Sequence, residues 1–127
     1  MTFKGKEVHV KIVGDAKDAY RELNKVVEDE VSRGITGSFN QTLFNAINQK
    51  IELLKQNPQF GIHVTKDRIP RDYIIDYEVN NIWKIDLPSS WRLIYTLKGT
   101  EVEILTIILD IFSHKDYDKK FGYRKKN

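Results

Sequence analysis

The chain has 127 residues, a formal net charge of +3, 31% charged residues and no cysteine. That length suits one domain able to bury roughly two-thirds of its unfolded surface, so it needs no covalent staple. The lack of cysteine excludes disulfides and thiol chemistry. No run resembles a signal peptide or approaches the roughly 20 apolar residues of a membrane span, so a cytoplasmic protein is expected, with no membrane partner.

Residues 7–13 alternate, with Val8, Val10 and Ile12 on one face and His9 and Lys11 on the other, which predicts a first strand at a sheet edge. His9 falls on its polar face and reads as a surface residue. Gly14-Asp15 opens a helix with Asp15 as N-cap, and Ala16, Ala19, Tyr20, Leu23, Val26, Val27 and Val31 form its apolar stripe. Gly34 is placed to stop it. Ser38 with Gln41 forms a capping box for a second helix, striped by Phe39, Leu43, Phe44, Ile47, Ile51 and Leu54 and ended by Asn57-Pro58. The short link between the two predicts an antiparallel helical hairpin. Residues 58–72 form a long connection carrying His63, Lys66, Arg68 and Arg71, with a short extended piece at 62–65. Residues 73–79 read as a strand, or as the start of the next one.

The last third is the most patterned. In residues 82–87, Trp83, Ile85 and Leu87 alternate with Ile82, Lys84 and Asp86. Pro88-Ser89-Ser90 makes a turn, and the next strand sets Trp91, Leu93, Tyr95 and Leu97 against Arg92, Ile94 and Thr96. Lys98-Gly99-Thr100 reads as a hairpin turn using its glycine. Residues 104–108 are apolar on both faces, as in a central strand covered on both sides. The order is β-α-α-β-β-β. It predicts an α+β fold, residues 1–127 as a single domain, and an antiparallel sheet with the helical hairpin on one face and the other face free for binding. Lys84 and Arg92 then lie on neighbouring strands, with His114 and Tyr117 leaving the last strand nearby.

Residues 113–127 form a basic C-terminal tail. Lys115, Lys119, Lys120, Arg124, Lys125 and Lys126 against Asp116 and Asp118 give +4, so the rest of the chain sums to −1. Such a terminus on a near-neutral body suits an anion such as nucleic acid, or serves as a solubilising end.

The run WKIDLPSSWRLIY, residues 83–95, followed by an apolar strand leading into His114, Lys115 and Tyr117, resembles the RelE/ParE superfamily of toxins from type II toxin–antitoxin pairs. The family's pattern is a strand carrying a lysine, a turn, and a Y-R-[LV]-[IV]-Y strand. The resemblance implies a metal-independent endoribonuclease, an mRNA interferase of the RelE kind. It would cleave mRNA at the ribosome, need no cofactor, and be neutralised by an antitoxin protein. It also admits a ParE-like toxin that inhibits DNA gyrase without cleaving anything, or an inactive toxin-fold module that only binds RNA or protein.

Carried over by position, the catalytic residues are Lys84, Arg92, His114 (or Lys115, at the same basic position) and Tyr117. Asp86, Lys115, Lys119, Lys120 and Arg124 would contact the substrate. Asp86 departs from the family, standing where RelE-like members place a second lysine. Cleavage requires a base for the 2′-OH, an acid for the leaving 5′ oxygen, and charge at the phosphate. Arg92 suits the phosphate as a planar fork. Lys84 suits charge stabilisation or base work, and the His114 imidazole suits either base or acid. Tyr117 suits stacking on a base or proton transfer. The ordinary alternatives are a surface lysine, an Arg92–Asp86 pair across the hairpin, and a packing tyrosine.

Overall fold

The computed structural model describes residues 2–122. Strand β1 (Thr2–Phe3) and strand β2 (Lys6–Ile12) precede helices α1 (Gly14–Ser32) and α2 (Phe39–Gln56). Then come β3 (Ile62–Val64), α3 (Arg71–Tyr77), β4 (Ile82–Asp86), β5 (Arg92–Gly99), β6 (Glu103–Phe112) and α4 (His114–Phe121). The strands form one sheet in the order β1-β2-β6-β5-β4-β3.

The fold is α+β, but the sheet is mixed, not antiparallel. β2 runs parallel to β6, with Val8 opposite Ile104 and Ile12 opposite Ile108. The strands β4, β5 and β6 form the expected antiparallel meander. β2 is therefore interior, and the two-residue β1 takes the edge beside it. β6 lies between β2 and β5, which explains why it is apolar on both faces.

The two faces carry separate cores. On one, Leu43, Ile47 and Leu54 of α2 and Ala16 of α1 pack on Ile85, Leu93, Tyr95 and Ile108. Fully burying each of the larger aliphatic side chains contributes about 1.5–3 kcal/mol. On the other face, Tyr73 of α3 and Tyr117 and Phe121 of α4 pack on Ile82, Ile94 and Leu109. That face is covered by helices, contrary to the expectation of a free binding face. Residues 114–121 are a packed helix, so the basic segment begins as part of the fold and not as a tail; Arg124, Lys125 and Lys126 lie outside the described residues.

Local chemistry explains most boundaries. Ser38 caps α2, its hydroxyl accepting from the Gln41 amide at 3.1 Å, and Gly34 follows α1 with φ +77°. Asp15 is not the cap of α1: the N-cap is Val13, and Asp15 lies in the first turn, where its charge complements the helix dipole. Val31 is 62% exposed, and Glu30 turns inward instead, accepting from Ser38 and Asn40 at the helix–helix junction. Residues 73–79 do not form a strand. Pro70 and Asp72 favour a helix start, Tyr73 and Tyr77 recur at four-residue spacing, and Glu78 in the left-handed region ends the helix. β5 also continues through Gly99, so the turn falls at residues 100–102, where the Thr100 hydroxyl accepts from the Glu103 amide at 3.1 Å.

Candidate active site

The register of the meander decides which side chains meet. Lys84 on β4 lies opposite Ile94 on β5, and Asp86 lies opposite Arg92. Lys84, Asp86, Arg92 and Ile94 thus share the face covered by α3 and α4. Asn81 sets this register at the start of β4: its side-chain carbonyl accepts from the Leu97 amide at 2.9 Å, and its side-chain amide donates to the Leu97 carbonyl at 2.9 Å. The Thr96 hydroxyl donates to the Asn81 backbone carbonyl at 2.6 Å.

The two cations converge on Tyr117. Lys84 Nζ donates to the Tyr117 hydroxyl at 3.1 Å, and the Arg92 guanidinium carbon stands 5.1 Å from the centre of the Tyr117 ring. Tyr117 is only 2% exposed, held by Phe121 at 4.6 Å and Phe112 at 6.1 Å between ring centres. The Ser113 hydroxyl caps α4 through the Asp116 amide, which sets the helix phase that turns Tyr117 onto the sheet. Two cations against one phenol make a site with an excess of positive charge and rigid donors, the arrangement that stabilises a phosphate gaining negative charge.

Arg92 is anchored in more than one way. Its Nε is buried and sits 3.1 Å from Oδ1 of Asp86, an ion-pair contact at an angle poorer than a hydrogen bond's. One Nη1 hydrogen goes to the Trp91 carbonyl at 3.3 Å. The Arg92 side chain is 16% exposed and that of Asp86 66% exposed, so the pair runs from the interior to solvent.

The remaining predicted residues spread along α4. His114 is at its first turn, with Nε2 3.1 Å from Asp118 Oδ2, and among the described residues that carboxylate is its ion-pair partner. Lys115 and Lys119 are exposed. Lys120 pairs with Asp72 at 3.4 Å and stands 4.9 Å over the Tyr73 ring. The structure therefore brings Lys84, Arg92, Asp86 and Tyr117 into one cluster, with His114 three residues before Tyr117 on the same helix.

Asp110 and Tyr73 form a second polar centre that sequence reasoning missed. Asp110 is 8% exposed and accepts from the Tyr73 hydroxyl at 2.6 Å. Burial raises its carboxyl above the usual range and Asp15 adds to the rise, while Tyr73 and Lys120 pull it back. Burial and the Asp110 charge likewise hold Tyr73 far above an ordinary phenol, so it remains a neutral donor. Asp110 borders a pocket of about 480 Å³ whose walls also include Asp15, Asp72 and Lys120. Asp110, an acid interrupting the apolar stretch 107–112 of β6, was the available signal. Among the described residues no group of three or more His, Cys, Asp or Glu side chains is arranged to hold a metal ion, and no helix is long and apolar enough to cross a membrane.

No family model, curated protein or solved structure matches the chain.

Proposed function

We propose that this protein is a RelE-like toxin of a type II toxin–antitoxin pair, an endoribonuclease acting in the cytoplasm on mRNA at the ribosome and held in check by an antitoxin protein. The observation that carries this reading is the convergence of Lys84 and Arg92 on Tyr117, at 3.1 Å from its hydroxyl and 5.1 Å from its ring centre. A strand followed by a helical hairpin, and an antiparallel β4-β5-β6 meander reached after the inserted β3 and α3, support the RelE/ParE-like assignment.

In this reading the 2′-OH of RNA attacks the adjacent phosphate and the 5′ oxygen leaves, giving a 2′,3′-cyclic phosphate and a 5′-hydroxyl. Arg92 and Lys84 stabilise the charge on the phosphate oxygens, where a bound metal would otherwise be needed. His114, on the exposed start of α4, exchanges the proton with the attacking or leaving oxygen. Lys115 and Lys119 add salt-dependent affinity for the RNA backbone.

Induced expression tests the proposal in cells. Growth should stop, with translation failing before DNA supercoiling changes, and co-expression of the neighbouring small open reading frame should restore growth. Supercoiling failing first would transfer the assignment to the gyrase-directed ParE-like class. Undisturbed growth at high soluble expression would leave only an inactive module of the same fold.

A further inference from the structure

Asp86 is the residue at this site that charge alone does not explain. A carboxylate beside a phosphate-binding arginine should weaken anion binding, yet Asp86 is the direct cross-strand partner of Arg92 and contacts its Nε at 3.1 Å. Its contact selects one edge of the guanidinium. The Nε edge faces Asp86, one Nη1 hydrogen goes to the Trp91 carbonyl at 3.3 Å, and the plane is fixed by the Tyr117 ring 5.1 Å away. An arginine carries five N–H donors in a planar fork. With the Nε edge turned toward Asp86 in an ion-pair contact that falls short of a hydrogen bond, the donors turned away from the carboxylate are on Nη2 and the second position of Nη1.

We infer that Asp86 is a positioning residue: it holds the Arg92 guanidinium so that the Nη groups, and not the Nε edge, meet an RNA phosphate. This rests on the reading of Arg92 as the phosphate-binding residue and adds a role opposite in sign to that expected from the charge of Asp86. A fork held in one orientation loses less side-chain freedom when a phosphate binds, which is how preorganisation adds affinity. Asp86 is 66% exposed, so its negative charge is well screened, while its contact with the buried Nε persists.

Two substitutions separate orientation from charge. Asp86→Ala removes both the contact and the charge. Asp86→Asn removes the charge but retains an acceptor oxygen at the same place. The probe is a short single-stranded RNA with 2′-O-methyl groups, which cannot cleave itself, and binding is followed by fluorescence anisotropy at fixed salt. If Asp86 positions Arg92, Asp86→Ala weakens binding about tenfold, and Asp86→Asn restores or exceeds wild-type affinity. In an Arg92→Lys background, which has no fork to orient, Asp86→Ala should then strengthen binding. Tighter binding by Asp86→Ala in the wild-type background, while Arg92→Ala loses affinity, would overturn the positioning role and leave Asp86 as a competing charge. Equal affinity of wild type and Arg92→Ala would instead remove the phosphate-site reading on which the inference stands.

Discussion

At the scale of single residues, the pair Tyr73–Asp110 makes the fold sensitive to one hydroxyl and to pH. Tyr73→Phe would leave the buried carboxylate without its 2.6 Å donor. The expected loss is about 1–3 kcal/mol in urea unfolding, the cost of an unsatisfied buried acceptor. The carboxyl of Asp110 is raised in the folded state, chiefly by burial. A raised acid contributes its stability fully below the unfolded carboxyl value of about 3.9 and loses it as pH rises through the folded value. Asp110→Asn removes that loss. The variant should therefore gain on the wild type as pH rises above the unfolded carboxyl value of about 3.9, and the gap should close at acid pH. A gap that widens on acidification would contradict the assigned direction. Neither residue was legible as a pair in the sequence, because Asp110 reads as one polar letter in an apolar strand and Tyr73 as part of a strand-like run. Only the helical turn of α3 across the sheet brings them together.

At the scale of elements, β3 shows how a short strand is held. The Tyr95 hydroxyl accepts from the Gly61 amide at 2.9 Å and donates to the Pro58 carbonyl at 2.8 Å, and burial pushes its phenol up to about 12. A Cβ on Gly61 would stand 2.7 Å from the Lys84 carbonyl oxygen and 2.8 Å from that hydroxyl. Gly61→Ala should therefore cost about 1–3 kcal/mol and speed amide exchange in β3 while leaving α1 protected. Equal exchange in β3 would show that the strand tolerates the displacement. The alternation of β4 and β5 was readable because each strand has one face on each core, so period two survives in the letters. The helix α3 was misread because Tyr, Ile and Ile favour strands locally, while burial of Tyr73 against β6 decides otherwise. The end of α2, the glycine stop at Gly34 and the serine start at Ser38 were readable because caps act within a few residues.

At the scale of the whole molecule, the mixed sheet was the least legible feature. Whether β2 runs parallel or antiparallel to β6 depends on where a crossover of three helices and three strands deposits the chain, and no local pattern encodes that. The same long-range closure carries α4 back over the meander and buries Tyr117 against Lys84 and Arg92. Those three positions, with Asp86, were named from the sequence, where an Arg92–Asp86 pair and a packing Tyr117 already stood as the ordinary alternatives; the convergence of both cations on the Tyr117 ring was the part that needed the fold. A solvent-facing cluster would use its cations mainly for salt-dependent attraction, whereas a site closed by an aromatic ring holds them in fixed directions, as transition-state stabilisation requires. The most direct measurement is cleavage of ribosome-bound mRNA by the purified protein in the presence of chelator, with wild type and Arg92→Lys side by side. The account predicts products ending in a 2′,3′-cyclic phosphate and a rate lowered on the order of 100-fold by Arg92→Lys, which keeps the charge but loses the fork. No cleavage by the wild type, or the same rate in both proteins, would contradict it.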